Sequence, residues 1–426
     1  MSSNDDFVYI ALGSNEGDRK GNLVAAIDGL RAYGVDILEV SPLYPNPALL
    51  LEGSPDDWNR PFYNCVVKVD TELSPENLLA LCKRLERELG RDPSRKFGPR
   101  TIDLDILFYK NQVINSDKLT IPHRGIYSRS FVLDPLSFVY PEKAGDYYGR
   151  SHQPLTMGII NVTPDSFSDG GKHYAPDSAV ELFEQWERAD VSAIDIGAES
   201  TNPNSRPLEE REEIRRLEPI FDYIRNRNFG YFRPLLSIDS YHPGTAELAL
   251  ASGFDMVNDV SGLGDERMLD LARNYRDAKF IFMHSLAVPT RRDVVLVGDP
   301  LEEMGKWIGD RARTFERIGL DKNRLIFDVG LGFGKTASQN LKLLQNMAHF
   351  HSYGFKILVG HSRKSFMDIF TGEAAGQRDL ETIALSLGLA KDVDILRVHS
   401  PLEHRRALLA SGHLANQFIG GSRAEG

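Results

Sequence analysis

The chain has 426 residues, 41% of them hydrophobic and 26% charged, an ordinary globular composition with more length than one apolar core usually serves. Its net charge of -11 and pI near 5.5 exclude a protein whose main task is to hold nucleic acid or an anionic membrane, since both demand a basic surface. Only two cysteines occur, Cys65 and Cys82, in no metal-ligand spacing and too few for a disulfide framework, which fits a reducing cytoplasm.

The opening Met-Ser-Ser-Asn-Asp-Asp has neither the basic, apolar pattern of a signal peptide nor the Arg-rich pattern of a transit peptide. From Phe7 to Tyr140 strands and helices mix: apolar Phe7 to Leu12, a helix over Lys20 to Tyr33, then strands over Val35 to Val40 and Tyr63 to Val69. Ser74 and Pro75 suit the N-cap and first position of a helix that runs to Leu89 and stops at Gly90, and Ile102 to Phe108 reads as a further strand. Segregated elements at this size predict an α+β sandwich over residues 1–140. Residues 141–154 lose apolar periodicity and read as a linker.

Residues 155–426 differ in kind. Short apolar runs recur and each closes on a polar group: Leu155 to Asn161, Ala193 to Glu199, Leu235 to Asp239, Met256 to Asp259, Lys279 to His284, Leu325 to Asp328, Lys356 to His361 and Ile395 to His399. Helical stretches such as Ser178 to Ala189, Glu209 to Arg225 and Leu301 to Ile318 separate them, predicting a TIM (β/α)8 barrel whose strand ends collect the polar residues on one face. A single strand-end Asp or Asn is ordinarily a turn former, but a whole ring of such ends makes that reading hard to keep.

The N-terminal half carries its chemistry in Gly98-Pro99-Arg100-Thr101-Ile102-Asp103-Leu104-Asp105. Residues two apart on a strand share a face, so Asp103 and Asp105 project together and suit a hard cation such as Mg2+ bridging phosphates. Arg91, Arg95, Lys96 and Arg100 upstream and His123, Arg124 and Arg129 downstream supply the clamping cations that phosphoryl transfer needs. With Ala11-Leu12-Gly13-Ser14-Asn15 and Ile121-Pro122-His123, residues 7–140 resemble a 6-hydroxymethyl-7,8-dihydropterin pyrophosphokinase. The resemblance implies a ferredoxin-like fold and transfer of pyrophosphate from ATP to the pterin hydroxymethyl group, with AMP leaving. It also implies two Mg2+ on Asp103 and Asp105, and phosphate or nucleotide contacts from Glu86, Arg91, Arg100, His123 and Arg129. Phe62, Asn64 and Phe131 would hold the pterin, and the loop Arg91 to Pro99 would close over ATP.

The barrel opens with Asn161-Val162-Thr163-Pro164-Asp165-Ser166-Phe167-Ser168-Asp169-Gly170, and its last two strands end on Ser362-Arg363-Lys364-Ser365 and Arg397-Val398-His399. Barrels often hold phosphate after strands seven and eight, so these cations predict an anionic ligand. Asp195, Asp239 and Asp328 lie deeper, and a 2-aminopyrimidinone edge offers N–H groups suited to buried carboxylates and to Asn258. Gly330 to Thr336 looks like a phosphate-binding P-loop, but the position five before Gly334 is Val329 rather than glycine, so that reading fails. Together with Gly-Phe-Gly-Lys, these motifs make residues 155–426 resemble a dihydropteroate synthase. The resemblance implies that p-aminobenzoate displaces pyrophosphate from the dihydropterin methylene carbon. By position it assigns Asp239, Asn258, Asp328 and Lys364 to the pterin, Asn161, Arg397 and His399 to pyrophosphate with one Mg2+, and Thr201 and Ser365 to p-aminobenzoate. Lys364 and Arg397 would carry the catalytic charge. It further implies a barrel that pairs as a homodimer.

Two departures stand out: Asn202 where the family usually has arginine, and Ser-Leu-Ala-Val-Pro after His284 without the common glycine. A methyl-transferring pterin barrel would have no use for Lys364, Arg397 and His399 as a clamp, and a scaffold protein would not need Arg100, Asp103, Asp105 and His123 together.

Overall fold

A computed structural model describes residues 6–48, 50, 53–92, 94, 98–140, 153–162, 175–199, 207–291 and 293–419. The chain divides into two compact units, Met1–Gln153 with Gly230–Phe232 and Leu408–Gly426, and Pro154–Phe229 with Arg233–Ala407.

In the first unit, strands β1 (Val8–Ser14), β2 (Asp36–Val40), β3 (Tyr44–Asn46), β4 (Phe62–Asp70) and β5 (Asp103–Tyr109) form one antiparallel sheet in the order β2-β4-β1-β5, with β3 on β4. Helices Arg19–Ala32 and Pro75–Glu88 complete a ferredoxin-like β-α-β-β-α-β chain order. Alternation along the strands and helical spacing along the helices turn Leu12, Ile27, Cys65, Val67, Cys82 and Leu104 into one core. Burial pushes both cysteine thiols well above their ordinary range, so they behave as small apolar groups. Ser74 caps the second helix by accepting from the Asn77 N–H at 3.3 Å, with Pro75 at its first position. At the other end Gly90 takes φ +86°, letting Gly90 N–H reach the Arg87 carbonyl and Arg91 N–H the Glu86 carbonyl. That turn delivers Arg91 to the edge of β5.

Elements in this unit that go beyond the sequence reading include β3, a hairpin of two-residue strands β6 (Ile114–Asn115) and β7 (Thr120–Ile121), and, last in the chain, a helix over Ser130–Val139. The last contains Pro135 and the β-branched Val132 and Val139, which mask helical periodicity; it packs Val132, Leu133 and Leu136 against Tyr9 and Phe108.

In the second unit, β8 (Leu155–Asn161), β9 (Ala193–Gly197), β10 (Leu235–Asp239), β11 (Met256–Asp259), β12 (Lys279–Met283), β13 (Leu325–Asp328), β14 (Lys356–Val359) and β15 (Ile395–Val398) close into a parallel barrel, β15 pairing back onto β8. Four of the eight predicted strands have the predicted limits. The others stop short of Glu199, His284, His361 and His399, because those residues turn off the barrel where ladder bonding ends. The strand interiors are buried, as parallel strands covered by helices must be, and the partly buried positions include strand-end Asn161 and Asp239 and, on β15, Arg397. Helix Ala337–Leu344 begins with a reciprocal capping box between Thr336 and Gln339.

Candidate functional sites

In the first unit the register puts Gly13 of β1 between Asn64 of β4 and Asp103 of β5. A Cβ on Gly13 would come within 2.7 Å of Asn64 Oδ1 and 3.7 Å of the Phe62 ring, so glycine is what lets Asn64 and Phe62 approach this point of the sheet. The Asn64 amide donates to Asn46 Oδ1 on β3. Phe131 lies on helix 130–139 with the Arg129 guanidinium 5.8 Å from its ring centre.

Asp103 and Asp105 alternate on β5 with buried Leu104 and Ile106. Arg91 Nη1 donates to Asp103 Oδ1 and Arg100 Nη1 to Asp103 Oδ2, each at 2.5 Å. Arg91 also lies 2.6 Å from buried Glu86, whose Oε1 accepts from Leu104 N–H at 2.9 Å and Lys83 at 2.7 Å. Asn15 fixes Arg100 from below, its Oδ1 accepting from the Arg100 N–H at 2.8 Å. Burial opposes ionisation of Asp103, but Arg100 and Arg91 overcome it and hold the carboxyl below its usual range. Burial and the neighbouring Asp103 push Asp105 the other way, against His123, Lys83 and Arg129. His123 accepts from Gly125 N–H through Nδ1 at 3.1 Å, leaving Nε2 as the other ring position. Phosphate oxygens and a divalent cation are the partners such a set lacks: the cation would relieve the repulsion between two carboxylates, and the arginines could pass from Asp103 to phosphate. The donor chemistry therefore fits magnesium. Arg95, Lys96 and Phe97 lie outside the described residues.

In the barrel a cavity of about 860 Å3 opens at the C-terminal strand ends, with Asn161, Asp239, Lys364, Ser365, Arg397 and His399 on its wall. Arg397 bridges two carboxylates: Nε donates to Asp195 Oδ2 and Nη2 to Asp239 Oδ2, each at 2.5 Å. Asn258 donates to the same Asp195 oxygen at 2.9 Å. Asp195 is fully buried and its second oxygen, Oδ1, has no partner among the described residues. Burial raises the Asp239 carboxyl although Arg397 opposes it, and burial likewise raises Asp328 against Lys364 and the Gly330 N–H, which donates to Asp328 at 2.8 Å. Lys364 donates to the Leu331 carbonyl and sits 4.8 Å from the Phe333 ring centre; burial draws its amine down to about 8 despite Asp328. His399 shares a 2.9 Å hydrogen bond with Ser362 and is drawn down to about 4 by burial, with Arg363 and Arg397 adding to it.

Asp239, Asn258 and Arg397 thus stand in one hydrogen-bonded group built on Asp195, while Lys364 and Asp328 act on it and on each other by charge alone. Thr201, Asn202 and the loop after Val162 lie outside the described residues. Arg363 is spent structurally, in a two-point ion pair with Asp379 at 2.7 and 2.8 Å. The partnership of Asp195 with Arg397 spans 202 positions, so only the strand-end pattern of each residue signals it in sequence. Glu199, also on the cavity wall, accepts from the Tyr241 hydroxyl at 3.0 Å and carries no sequence signal beyond ending a strand run.

Two family models match the chain: pterin binding enzyme over residues 157–399, and 7,8-dihydro-6-hydroxymethylpterin-pyrophosphokinase over residues 9–141. A folate synthesis bifunctional protein of Chlamydia muridarum is 36% identical, the match covering 95% of this chain and 98% of that one. Among solved structures, Xanthomonas albilineans dihydropteroate synthase with 4-aminobenzoic acid is 31% identical at TM-score 0.54, covering 64% of this chain and 94% of that one. Anaplasma phagocytophilum dihydropteroate synthase with bound 6-hydroxymethylpterin-monophosphate is 33% identical at TM-score 0.55, covering 62% and 99%. The chain belongs to the family of bifunctional folate synthesis proteins, a hydroxymethyldihydropterin pyrophosphokinase followed by a pterin-binding dihydropteroate synthase barrel.

Proposed function

We infer that the chain is a bifunctional transferase of folate synthesis that runs two consecutive steps. In the first, the hydroxymethyl oxygen of 6-hydroxymethyl-7,8-dihydropterin attacks the β-phosphorus of ATP and gives up its proton to solvent, the bond to the α–β bridging oxygen breaks, and AMP leaves with that oxygen. In the second, the p-aminobenzoate nitrogen attacks the pterin methylene carbon, the carbon–oxygen bond to pyrophosphate breaks, and the amine loses a proton to give 7,8-dihydropteroate. The observation that carries this reading is the cavity wall of Asp239, Lys364, Arg397 and His399, an acid and cation set suited to a pterin diphosphate in an otherwise acidic protein.

In the first site, Arg91 and Arg100 clamp phosphates, helped by His123 and Arg129, while Glu86 holds Arg91 in place. Phe62, Asn64 and Phe131 hold the pterin. Magnesium ions on Asp103 and Asp105, two in number, would neutralise phosphate charge. In the barrel, Asp239, Asn258, Asp328 and Lys364 bind the pterin, and Asn161, Arg397 and His399 hold the departing pyrophosphate; Asn161 would also hold one further magnesium, which would supply positive charge there. Thr201 and Ser365 meet p-aminobenzoate. No covalent nucleophile is required, because preorganised charge can stabilise a cationic methylene and the departing anion.

The limits we assign are residues 1–140 for the pyrophosphokinase, 141–154 for the linker and 155–426 for the barrel. Exposed Leu380 and Leu387 on helix Asp379–Leu389 favour a homodimer through the barrel, which sedimentation tests. Among the described residues no helix is long and apolar enough to cross a membrane, and two buried free cysteines suit a reducing cytoplasm. Phosphorus NMR of the reaction with ATP should show AMP and a pterin diphosphate; ADP in place of AMP would contradict the first step.

A further inference from the structure

Lys335 closes the Gly-Phe-Gly-Lys run and takes no part in the reactions as assigned. It is buried, 8% exposed, on the loop between β13 and helix 337–344. Its ammonium spends all three hydrogens on backbone carbonyls: Gly330 at 2.8 Å, Phe333 at 3.1 Å and His284 at 3.3 Å. The first two belong to its own loop, the third to the chain leaving β12. The lysine therefore ties two strand-end loops together, where a phosphate-binding lysine would present its charge to a ligand.

The loop it ties is unusually committed. Gly330, Gly332 and Gly334 have φ of +64°, +80° and +68°, and a Cβ on Gly330 would stand 2.0 Å from the His284 carbonyl oxygen. Buried Asn340 holds the same loop from its other side, accepting from Gly332 N–H at 3.0 Å and donating to the Lys335 carbonyl at 3.3 Å. What the loop presents is the Leu331 carbonyl and the Phe333 ring, and both meet Lys364.

We propose that Lys335 is a positioning residue for the barrel reaction, fixing the Leu331 carbonyl and Phe333 ring that aim the Lys364 ammonium at the pterin. This rests on the reading of Lys364 given above. A lysine suits the task because one group donates to the His284 and Phe333 carbonyls, which an apolar side chain would leave without that donor in the interior, and adds a second donor to the Gly330 carbonyl, which also accepts from Phe333 N–H at 3.1 Å. The charged and titratable groups around the two amines are Lys364, Asp328 and His284 beside Lys335, and Asp328, Arg397 and Asp239 beside Lys364; burial, with Lys364 adding to it, draws the Lys335 amine down to about 7 against Asp328.

The test is a double-mutant cycle in the full chain with K335M, K364M and both, reading kcat/KM for the pterin diphosphate in dihydropteroate formation. AMP formation by the first unit is the internal control. We expect K335M to lower kcat/KM by roughly 10- to 100-fold through misplacement of Lys364. The double variant should then be no worse than K364M alone, since a group acting through Lys364 has nothing left to position. Multiplying losses would overturn the inference and leave the Lys364 reading standing; a K364M enzyme within twofold of the parent would overturn both. If K335M does not fold, K335Q takes its place in the cycle, and loss of the folded barrel in both would assign Lys335 to stability alone and overturn the positioning role.

Discussion

Arg397 and Asp195, 202 positions apart in the chain, meet at 2.5 Å beneath the barrel cavity, with Asp239 held by the same guanidinium at the same distance. Removing Arg397 would leave the wholly buried Asp195 with Asn258 but no opposite charge, and the partly buried Asp239 without its ion pair. R397M should therefore cost roughly 3–5 kcal/mol of barrel stability, the scale for breaking a buried pair from one side. Dihydropteroate formation should fall by roughly 100-fold or more, as when one preorganised donor is lost. Calorimetry and steady-state rates check the two parts separately, and AMP formation should be unaffected.

The carboxylate pair of β5 makes a complementary prediction. Asp103 anchors Arg100 and shares Arg91 with Glu86, so D103A should loosen the clamp as well as remove part of the cation site. AMP formation should drop by roughly a thousandfold, the scale of charge stabilisation in phosphoryl transfer. Dihydropteroate made from preformed pterin diphosphate should continue at the parent rate; loss of both activities would refute independent sites.

The first unit also makes a steric prediction. With 2.7 Å between a Cβ on Gly13 and Asn64 Oδ1, G13A must push Asn64 aside. An overpacking cost of roughly 1–3 kcal/mol, felt at the pterin contact, corresponds to about a 10-fold or greater rise in KM for 6-hydroxymethyldihydropterin, with KM for ATP little changed. Initial rates against each substrate distinguish the two.

Much of this arrangement is legible in sequence. Ser74, Pro75 and Gly90 mark both ends of their helix because capping is local chemistry. The eight barrel strands stand out because parallel strands buried on both faces read as apolar runs. The helix over 130–139 is hidden by Pro135 and its β-branched residues, and β3 by its three-residue length. Side-chain partnerships are legible only as residue types: nothing local says that Arg397 pairs with Asp195, that Arg363 is spent on Asp379, or that Lys335 faces inward onto carbonyls.

Titration of the barrel should follow two of these groups. Burial raises Asp239 above the ordinary carboxylate range and lowers Lys364 to about 8. With ionised Asp239 and protonated Lys364 as the binding forms, kcat/KM for the pterin diphosphate should rise with pH as Asp239 loses its proton and fall above about 8 as Lys364 loses its own. An alkaline limb near the free lysine value of about 10 would refute the assignment, and K364R should move that limb upward.

The central claim is that one chain carries both reactions in sequence. The most direct measurement supplies the purified protein with 6-hydroxymethyl-7,8-dihydropterin, ATP, Mg2+ and p-aminobenzoate, and follows AMP and dihydropteroate separately. Both products are expected, AMP appearing first and dihydropteroate only when p-aminobenzoate is present. AMP without dihydropteroate would contradict the barrel assignment, and neither product would contradict the whole reading.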